Sequence, residues 1–431
     1  MSGSENVMIK CLLVLSVFNT GLSLQERITV EDKRNKNNPN MDRSAFFINN
    51  AMVWKGKKTL NGRWFNNWKV LKNGKWIWGY EDANGTAAPP FDISEALIDN
   101  KQHRNPCAPH YPPLPDFSKP GRRISETKCL EYVWEVKLED EKYKRNWSCL
   151  NFIQKHPLSK FKPQAGVVGG YRAGPGDFPH MGAIGWLAPN GSWIFKCGSS
   201  LISPKFVLTA AHCSRASDRD DTIADPVPKI VRLGDKSILD ADPEAFRMKP
   251  IESKIINIIV HPNFTAPKRY DDIALIELEE PVSFNDYVRP GCLWSRFDTS
   301  SLGTEANVTG WGVVETLGRT VSTELLVGHV DIVDSEKCNS LLSPNCNRNW
   351  CGIRDTQICA GKNDGGVDAC QGDSGGPLQV NMSLPIRDQG HMHYIIGVIS
   401  FGIGCALPDL PGVYTRVSSY LDWIEPIVWG K

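Results

Sequence analysis

Net charge is what this sequence has least of: 49 lysines and arginines stand against 48 aspartates and glutamates over 431 residues, a formal +1 at pH 7. That balance removes the electrostatic basis for recognising nucleic acid or an acidic membrane surface. Long apolar runs are also missing. One short run lies near the start, Cys11 to Phe18, broken only by Ser16, and it cannot cross a bilayer as a helix. No second run of membrane length follows, so the expected mature protein is soluble and has no membrane partner. With 41% hydrophobic and 23% charged residues the composition is that of a globular chain, and its length suggests two or three domains.

The apolar run has Lys10 before it and the small or polar Thr20, Gly21 and Ser23 after it, which is the pattern of a secretory signal over residues 1–24. Met8 makes a better start for that signal than Met1. Of thirteen cysteines, losing Cys11 with the signal leaves twelve, an even number suited to an oxidising compartment. Six N-x-Ser/Thr sequons, at Asn84, Asn146, Asn190, Asn263, Asn307 and Asn381, agree with secretion to the extracellular space.

Texture changes near residue 166. Residues 25–105 are polar, basic and asparagine-rich, with five tryptophans from Trp54 to Trp78. Asn61-Gly62-Arg63-Trp64 is echoed by Asn73-Gly74-Lys75-Trp76, and each Asn-Gly reads as a β-turn between short strands. Two readings stand level, a small sheet or a loosely ordered segment collapsed on its aromatics. Residues 106–166 begin with a proline-dense linker, Pro106 to Pro120. Cys129 and Cys149 then bracket a charged, helix-like run from Leu130 to Tyr143, and His156 to Ala165 reads as an exposed tether. Beyond this, runs such as Phe206 to Leu208, Lys229 to Leu233, Ile255 to Val260 and Tyr394 to Ile399 are punctuated by Gly, Pro and Asp. Regular short strands of this kind predict an all-β sandwich or barrel. At the end, Ser418 is expected to cap a short helix placing Leu421, Ile424 and Val428 on one face, kinked or ended early by Pro426.

Chemistry concentrates in three motifs. Gly372-Asp373-Ser374-Gly375-Gly376-Pro377 offers a serine, a weak nucleophile that needs a base, a carboxylate to orient the base, and an oxyanion hole. Its glycines let the N–H groups of Gly372 and Ser374 point at a developing oxyanion. Thr209-Ala210-Ala211-His212-Cys213 offers a histidine after a strand, beside a cysteine. Asp271-Asp272-Ile273-Ala274-Leu275 carries an acid into an apolar strand, where an unpaired carboxylate would be costly, so Asp272 implies a partner.

In this order and spacing the residues resemble the chymotrypsin-like (trypsin-type) serine proteases over Val167 to Lys431. The resemblance implies an all-β fold of two six-stranded antiparallel β-barrels with a C-terminal helix, preceded by an irregular pro-region. It makes His212 the general base, Asp272 its orienter, Ser374 the nucleophile, and Gly372 with Ser374 the oxyanion hole. Asp368 falls at the base of the S1 pocket, with Gly402 and Gly412 leaving room for a long basic side chain. Cleavage after Arg or Lys is therefore implied. Phe401 stands where tryptophan is commoner, keeping an aromatic wall.

The resemblance also implies a zymogen. Val167 would become the new N-terminus and pair with Asp373, but Gly166 precedes it where Arg or Lys is usual. An upstream activating protease that is not trypsin-like is therefore expected. Phe178 to Met181 and Ile124 to Tyr132 look like insect snake-type zymogens. The family pattern pairs Cys197 with Cys213, Cys338 with Cys359 and Cys370 with Cys405. It tethers the pro-region through Cys292, with Cys129 or Cys149 the expected partner and Cys107 the third pro-region cysteine. Cys346 and Cys351 are additional. Asp235, Asp242 and Glu244 occupy a loop where relatives bind Ca²⁺, although a solvated acidic loop reads equally well; no other cofactor is expected. Asp218 to Asp225 is a charged insertion, read as solvated. The implied setting is a limited-proteolysis step in an extracellular, insect haemolymph-type cascade, with downstream zymogens as protein substrates and serpin-type inhibitors. Digestive or venom proteolysis, and a glycan-binding module with secondary protease activity, are the alternatives.

Overall fold

The computed structural model describes residues 43–48, 51–60, 63–72, 75–80, 93–97, 107, 112–154, 176–238, 250–312, 322–365, 372–384, 391–404 and 407–430. The chain divides into two compact units, Met1–Pro90 and Phe91–Lys431. In the first, β1 (Arg43–Ile48), β2 (Ala51–Leu60), β3 (Arg63–Lys72) and β4 (Lys75–Tyr80) form an antiparallel meander. Leu60 pairs with Arg63 and Lys72 with Lys75, so the connections are two residues long, Asn61-Gly62 and Asn73-Gly74. Of the two readings of the Trp-rich segment, the small sheet is the one found.

The second unit opens with a 3-10 turn at Ile93–Leu97 and then α1, Ile124–Gln154, 31 residues long. The helix extends beyond the expected run at both ends. Its start is fixed by the Glu126 carboxylate, which accepts from the Arg123 N–H at 3.2 Å, the reach-back half of a capping box. Cys129, Leu130, Val133 and Val136 are almost wholly buried. They share a cluster with Phe117 from the linker and with Trp294, Tyr394 and Ile396.

Two barrels follow. The first closes in the order β10 (Ala274–Leu278), β7 (Phe206–Thr209), β6 (Trp193–Leu201), β5 (Met181–Leu187), β8 (Ile230–Leu233) and β9 (Ile251–Val260). Ile184, Leu201, Leu208, Val231 and Leu275 fill it at 0% exposure. The second runs β16 (His393–Phe401), β15 (Pro377–Asn381), β12 (Glu305–Gly310), β13 (Leu326–Val333), β14 (Gln357–Gly361) and β17 (Gly412–Arg416), closed by pairing of β17 with β16. The short β11 (Cys292–Leu293) adds to β16 in parallel. The fold is therefore the expected pair of six-stranded barrels, with one parallel addition at the point where Cys292 is held.

Besides α1 the helices are α2 (Ser335–Leu342) and the C-terminal α3 (Leu421–Val428). The cap expected from Ser418 is not made: that residue lies in a 3-10 turn, Val417–Tyr420, and Tyr420 precedes α3 without a side-chain cap. Pro426 sits inside the helix, which runs two residues past it with Leu421 and Ile424 buried. Proline there forgoes its N–H bond and crowds the carbonyl four residues back, and the buried face holds the helix despite this. Among the described residues no helix is long and apolar enough to cross a membrane.

Candidate active site

His212 lies in a 3-10 turn, Ala211–Ser214, directly after β7, and Asp272 directly before β10. These strands pair, with Thr209 opposite Ala274, so the ladder brings the two side chains together. The Cys197–Cys213 disulfide pins the histidine turn to β6. Asp272 is fully buried. Its Oδ1 accepts the His212 backbone N–H at 2.9 Å, and its Oδ2 meets His212 Nδ1 at 2.8 Å and the Ser400 hydroxyl at 2.5 Å. A carboxylate can only accept, so Nδ1 donates, which in the neutral imidazole leaves the lone pair on Nε2. Burial pushes the Asp272 carboxyl up, but the His212 charge and the hydrogen bonds from His212 and Ser400 outweigh it and hold the group below its ordinary value. The partner that Asp272 required is therefore supplied, on both oxygens.

Ser374, half-buried, is delivered by the loop before β15. Its carbonyl accepts from Gly198 N–H at 2.8 Å and lies 3.6 Å from Cys213 Sγ, beside His212. Gly375, at φ +79°, is pressed so closely on β6 and β7 that a Cβ would overlap Thr209 Oγ1 and lie 2.6 Å from the Gly198 carbonyl. Gly372 also has a positive φ, +102°, which favours glycine there. Asp373 Oδ1 accepts the Gly312 N–H at 2.7 Å. A Cβ on Gly310 would overlap its carboxylate, and one on Gly312 would come within 2.5 Å.

Gly402 follows β16 and Gly412 opens β17; continuing the ladder that pairs Phe401 with Val413 sets the two glycines opposite each other. Asp368, Gly166, Val167, Cys370, Cys405, Asp242 and Glu244 lie outside the described residues. Asp235 is described: burial raises its carboxyl, which accepts from Ser237 N–H at 3.0 Å and pairs with Arg232 at 3.4 Å. The insertion after His212 is largely paired with lysine and arginine, Asp218 with Arg215, Asp220 with Lys196 and Asp225 with Lys229. Cys338 bonds Cys359 and Cys346 bonds Cys351. Of the partners expected for Cys292, Cys129 is the one; Cys149 pairs with Cys107.

Two polar residues were missed as parts of the site. They are Ser400, whose hydroxyl donates to Asp272 Oδ2, and Thr415, whose hydroxyl donates to the Asp272 carbonyl at 2.8 Å. Both are buried hydroxyls on strands, which oblige a partner, but nothing local says which.

Comparison with known proteins agrees with this geometry. The Trypsin family matches residues 167–424. The serine protease Hayan of Drosophila melanogaster is 40% identical over 266 residues, 61% of this chain and 39% of that protein. The serine protease snk of the same organism is 36% identical over 348 residues, 79% of this chain and 73% of that one. The proclotting enzyme of Tachypleus tridentatus is 36% identical over 261 residues, 60% of this chain and 65% of its own. The chain belongs to the trypsin family and is a serine-type endopeptidase.

Proposed function

We propose that the protein is a secreted zymogen which, once cut before Val167, cleaves protein substrates after Arg or Lys in an extracellular cascade. The observation that carries the catalytic reading is the doubly engaged, fully buried Asp272 behind His212, with the Ser374 carbonyl held by Gly198 N–H next to the disulfide that pins the His212 turn. Ser374 Oγ attacks the scissile carbonyl as its proton passes to His212 Nε2. Asp272 holds Nδ1–H and steadies the imidazolium, while Gly372 and Ser374 N–H groups receive the oxyanion. Collapse breaks the C–N bond, His212 returning the proton to the leaving amine. Water then repeats the cycle on the acyl-enzyme.

Asp368 as the acid for a basic substrate side chain rests on the sequence motif, supported by the facing glycines Gly402 and Gly412. The cascade reading is supported by similarity to a protein named for clotting and by a 31-residue helix held to the barrels by the Cys129–Cys292 disulfide. Gly166 implies an activator that does not require a basic residue. Serpin-type inhibitors fit the same setting. Steady-state hydrolysis of matched peptides ending in Arg, Lys, Phe or Ala tests specificity. Basic residues should be favoured by about a hundredfold or more, and Asp368→Ser should remove that preference. Equal cleavage of the Phe peptide would sink the reading.

A further inference from the structure

Arginines in this protein are commonly matched by acids. Arg122 pairs with Glu95, Arg123 with Glu425, Arg232 with Glu252, Arg289 with Asp286. The rim beside the Asp272 loop departs from that pattern. Lys268 and Arg269 lead into Tyr270-Asp271-Asp272, and Arg348 and Arg354 lie in and just after the loop closed by Cys346–Cys351. Among the described residues, none of these four cations has an ion-pair partner. Three are exposed and Arg269 is half-buried.

The two segments are fastened to each other. Arg269 N–H donates to the Asn349 carbonyl at 3.1 Å, Gln357 Nε2 to the Arg269 carbonyl at 3.0 Å, and Cys351 N–H to the Tyr270 hydroxyl at 2.9 Å. The Arg354 guanidinium stacks 3.5 Å from the Tyr270 ring centre. Arg269 lies over the Phe401 ring at 5.8 Å, and Trp350 meets that ring edge-on at 5.6 Å. Phe401 stands between Ser400, which bonds Asp272, and Gly402. Asp271 is the acid nearest Arg269 in sequence, and its Oδ1 accepts the Tyr420 hydroxyl at 2.9 Å; Asp355 adjoins Arg354, with no ion pair between the two. A guanidinium seated on an aromatic face is already partly ordered and desolvated, so it gains more from a carboxylate than a mobile surface cation does.

We propose that this rim reads an acidic side chain of the substrate within a few residues of the scissile bond, Arg269 making the contact and Lys268, Arg348 and Arg354 supplying the field. The inference rests on the protease reading above and adds a substrate class to it: segments in which a basic cleavage residue is accompanied by Asp or Glu.

The test uses activated full-length enzyme and peptides that differ only by Asp or Asn at each position flanking an Arg. At one or more positions the Asp peptide should have a kcat/KM about fivefold higher at low salt, the scale of one well-placed exposed ion pair. That advantage should shrink in high salt. Arg269→Gln combined with Arg354→Gln should bring the Asp/Asn ratio close to one, whereas Arg269→Lys should keep most of it. A ratio near one at every position in the unaltered enzyme, or a ratio that survives the double substitution, overturns the proposal. If neither peptide is cut, the protease reading fails, and binding of the same labelled peptides to the Ser374→Ala protein still decides the rim: tighter binding of the Asp peptide supports it and equal binding overturns it. Binding of a sulfated polysaccharide that depends on Arg269 and Arg354, with no Asp preference in any peptide, would make the rim a polyanion surface and also overturn it.

Discussion

Asp272 accepts from both the His212 backbone and ring, and among the described residues Ser400 is the one donor to its side chain from outside the histidine turn. Removing that hydroxyl leaves a buried carboxylate oxygen with one donor fewer, a loss of about 1–3 kcal/mol. Ser400→Ala should therefore lower kcat by about tenfold or more while KM changes little, read from progress curves on an Arg peptide; an unchanged kcat would show that His212 alone orients the acid. Elsewhere, two buried histidines face each other at 5.0 Å. Burial pushes His180 down to about 4, the neighbouring Gln379 only partly opposing it, and burial together with His180 and His391 pushes His393 well below its ordinary value. Their folded pKa values lie below the unfolded one, so the unfolded chain binds more protons between about pH 6.5 and pH 4. Stability is thus full above pH 6.5 and falls as pH drops through that window, by about 3 kcal/mol for His180 alone. Urea midpoints measured from pH 7 to 4.5 should fall, and the fall should be shallower in His180→Asn. His212, Asp272 and Ser374 were legible because each sits in a contiguous motif. Ser400 and Thr415 were not, because their partner is chosen by strand register between distant segments.

At the scale of elements, the barrels followed from short β-branched runs between turn residues, whereas α1 was read at under half its length. The reason is physical. From Cys129 to Val136 the buried residues form a wide face interrupted only by Glu131 and Glu135 rather than a narrow apolar stripe, and the far end of the helix, with Tyr143, Trp147 and Leu150 exposed, offers no core face at all. What docks it is tertiary: the Cys129–Cys292 disulfide, Arg123 and Ser125 on Glu425 of α3, and the Tyr132 ring edge-on to Phe284 at 5.7 Å. These contacts predict that the helix remains on the barrels after activation even without its covalent link. In cleaved protein carrying Cys129→Ser and Cys292→Ser, the two pieces should co-elute on gel filtration under native conditions. Adding Leu130→Ala and Val133→Ala, which removes about 2–5 kcal/mol of buried packing per large side chain, should release the helix. Separation of the pieces before those substitutions would mean that the disulfide alone retains it.

At the scale of the whole molecule, the site is assembled from both barrels. The first contributes His212 and Asp272, and the second contributes Ser374, Ser400 and the Thr415 hydroxyl that holds the Asp272 carbonyl. Activity is therefore tied to the fit of one barrel against the other, and within the second barrel the Asp373 loop precedes Ser374 directly. Its carboxylate is received by Gly310 and Gly312, two positions with no room for a side chain. Gly310→Ala should displace it and reduce peptide hydrolysis by more than tenfold, about 1.4 kcal/mol, with little change in the far-ultraviolet spectrum; retained activity would show that the loop has another resting place.

The most direct test of the account compares the intact chain with protein cut by an engineered protease site between Gly166 and Val167, each with and without Ser374→Ala, on Arg-, Phe- and Ala-ending peptides. Arg-selective hydrolysis that appears only after the cut and vanishes with Ser374→Ala is the predicted result. A correctly exposed Val167 terminus with no hydrolysis of any peptide, or equal hydrolysis before and after the cut, would contradict it.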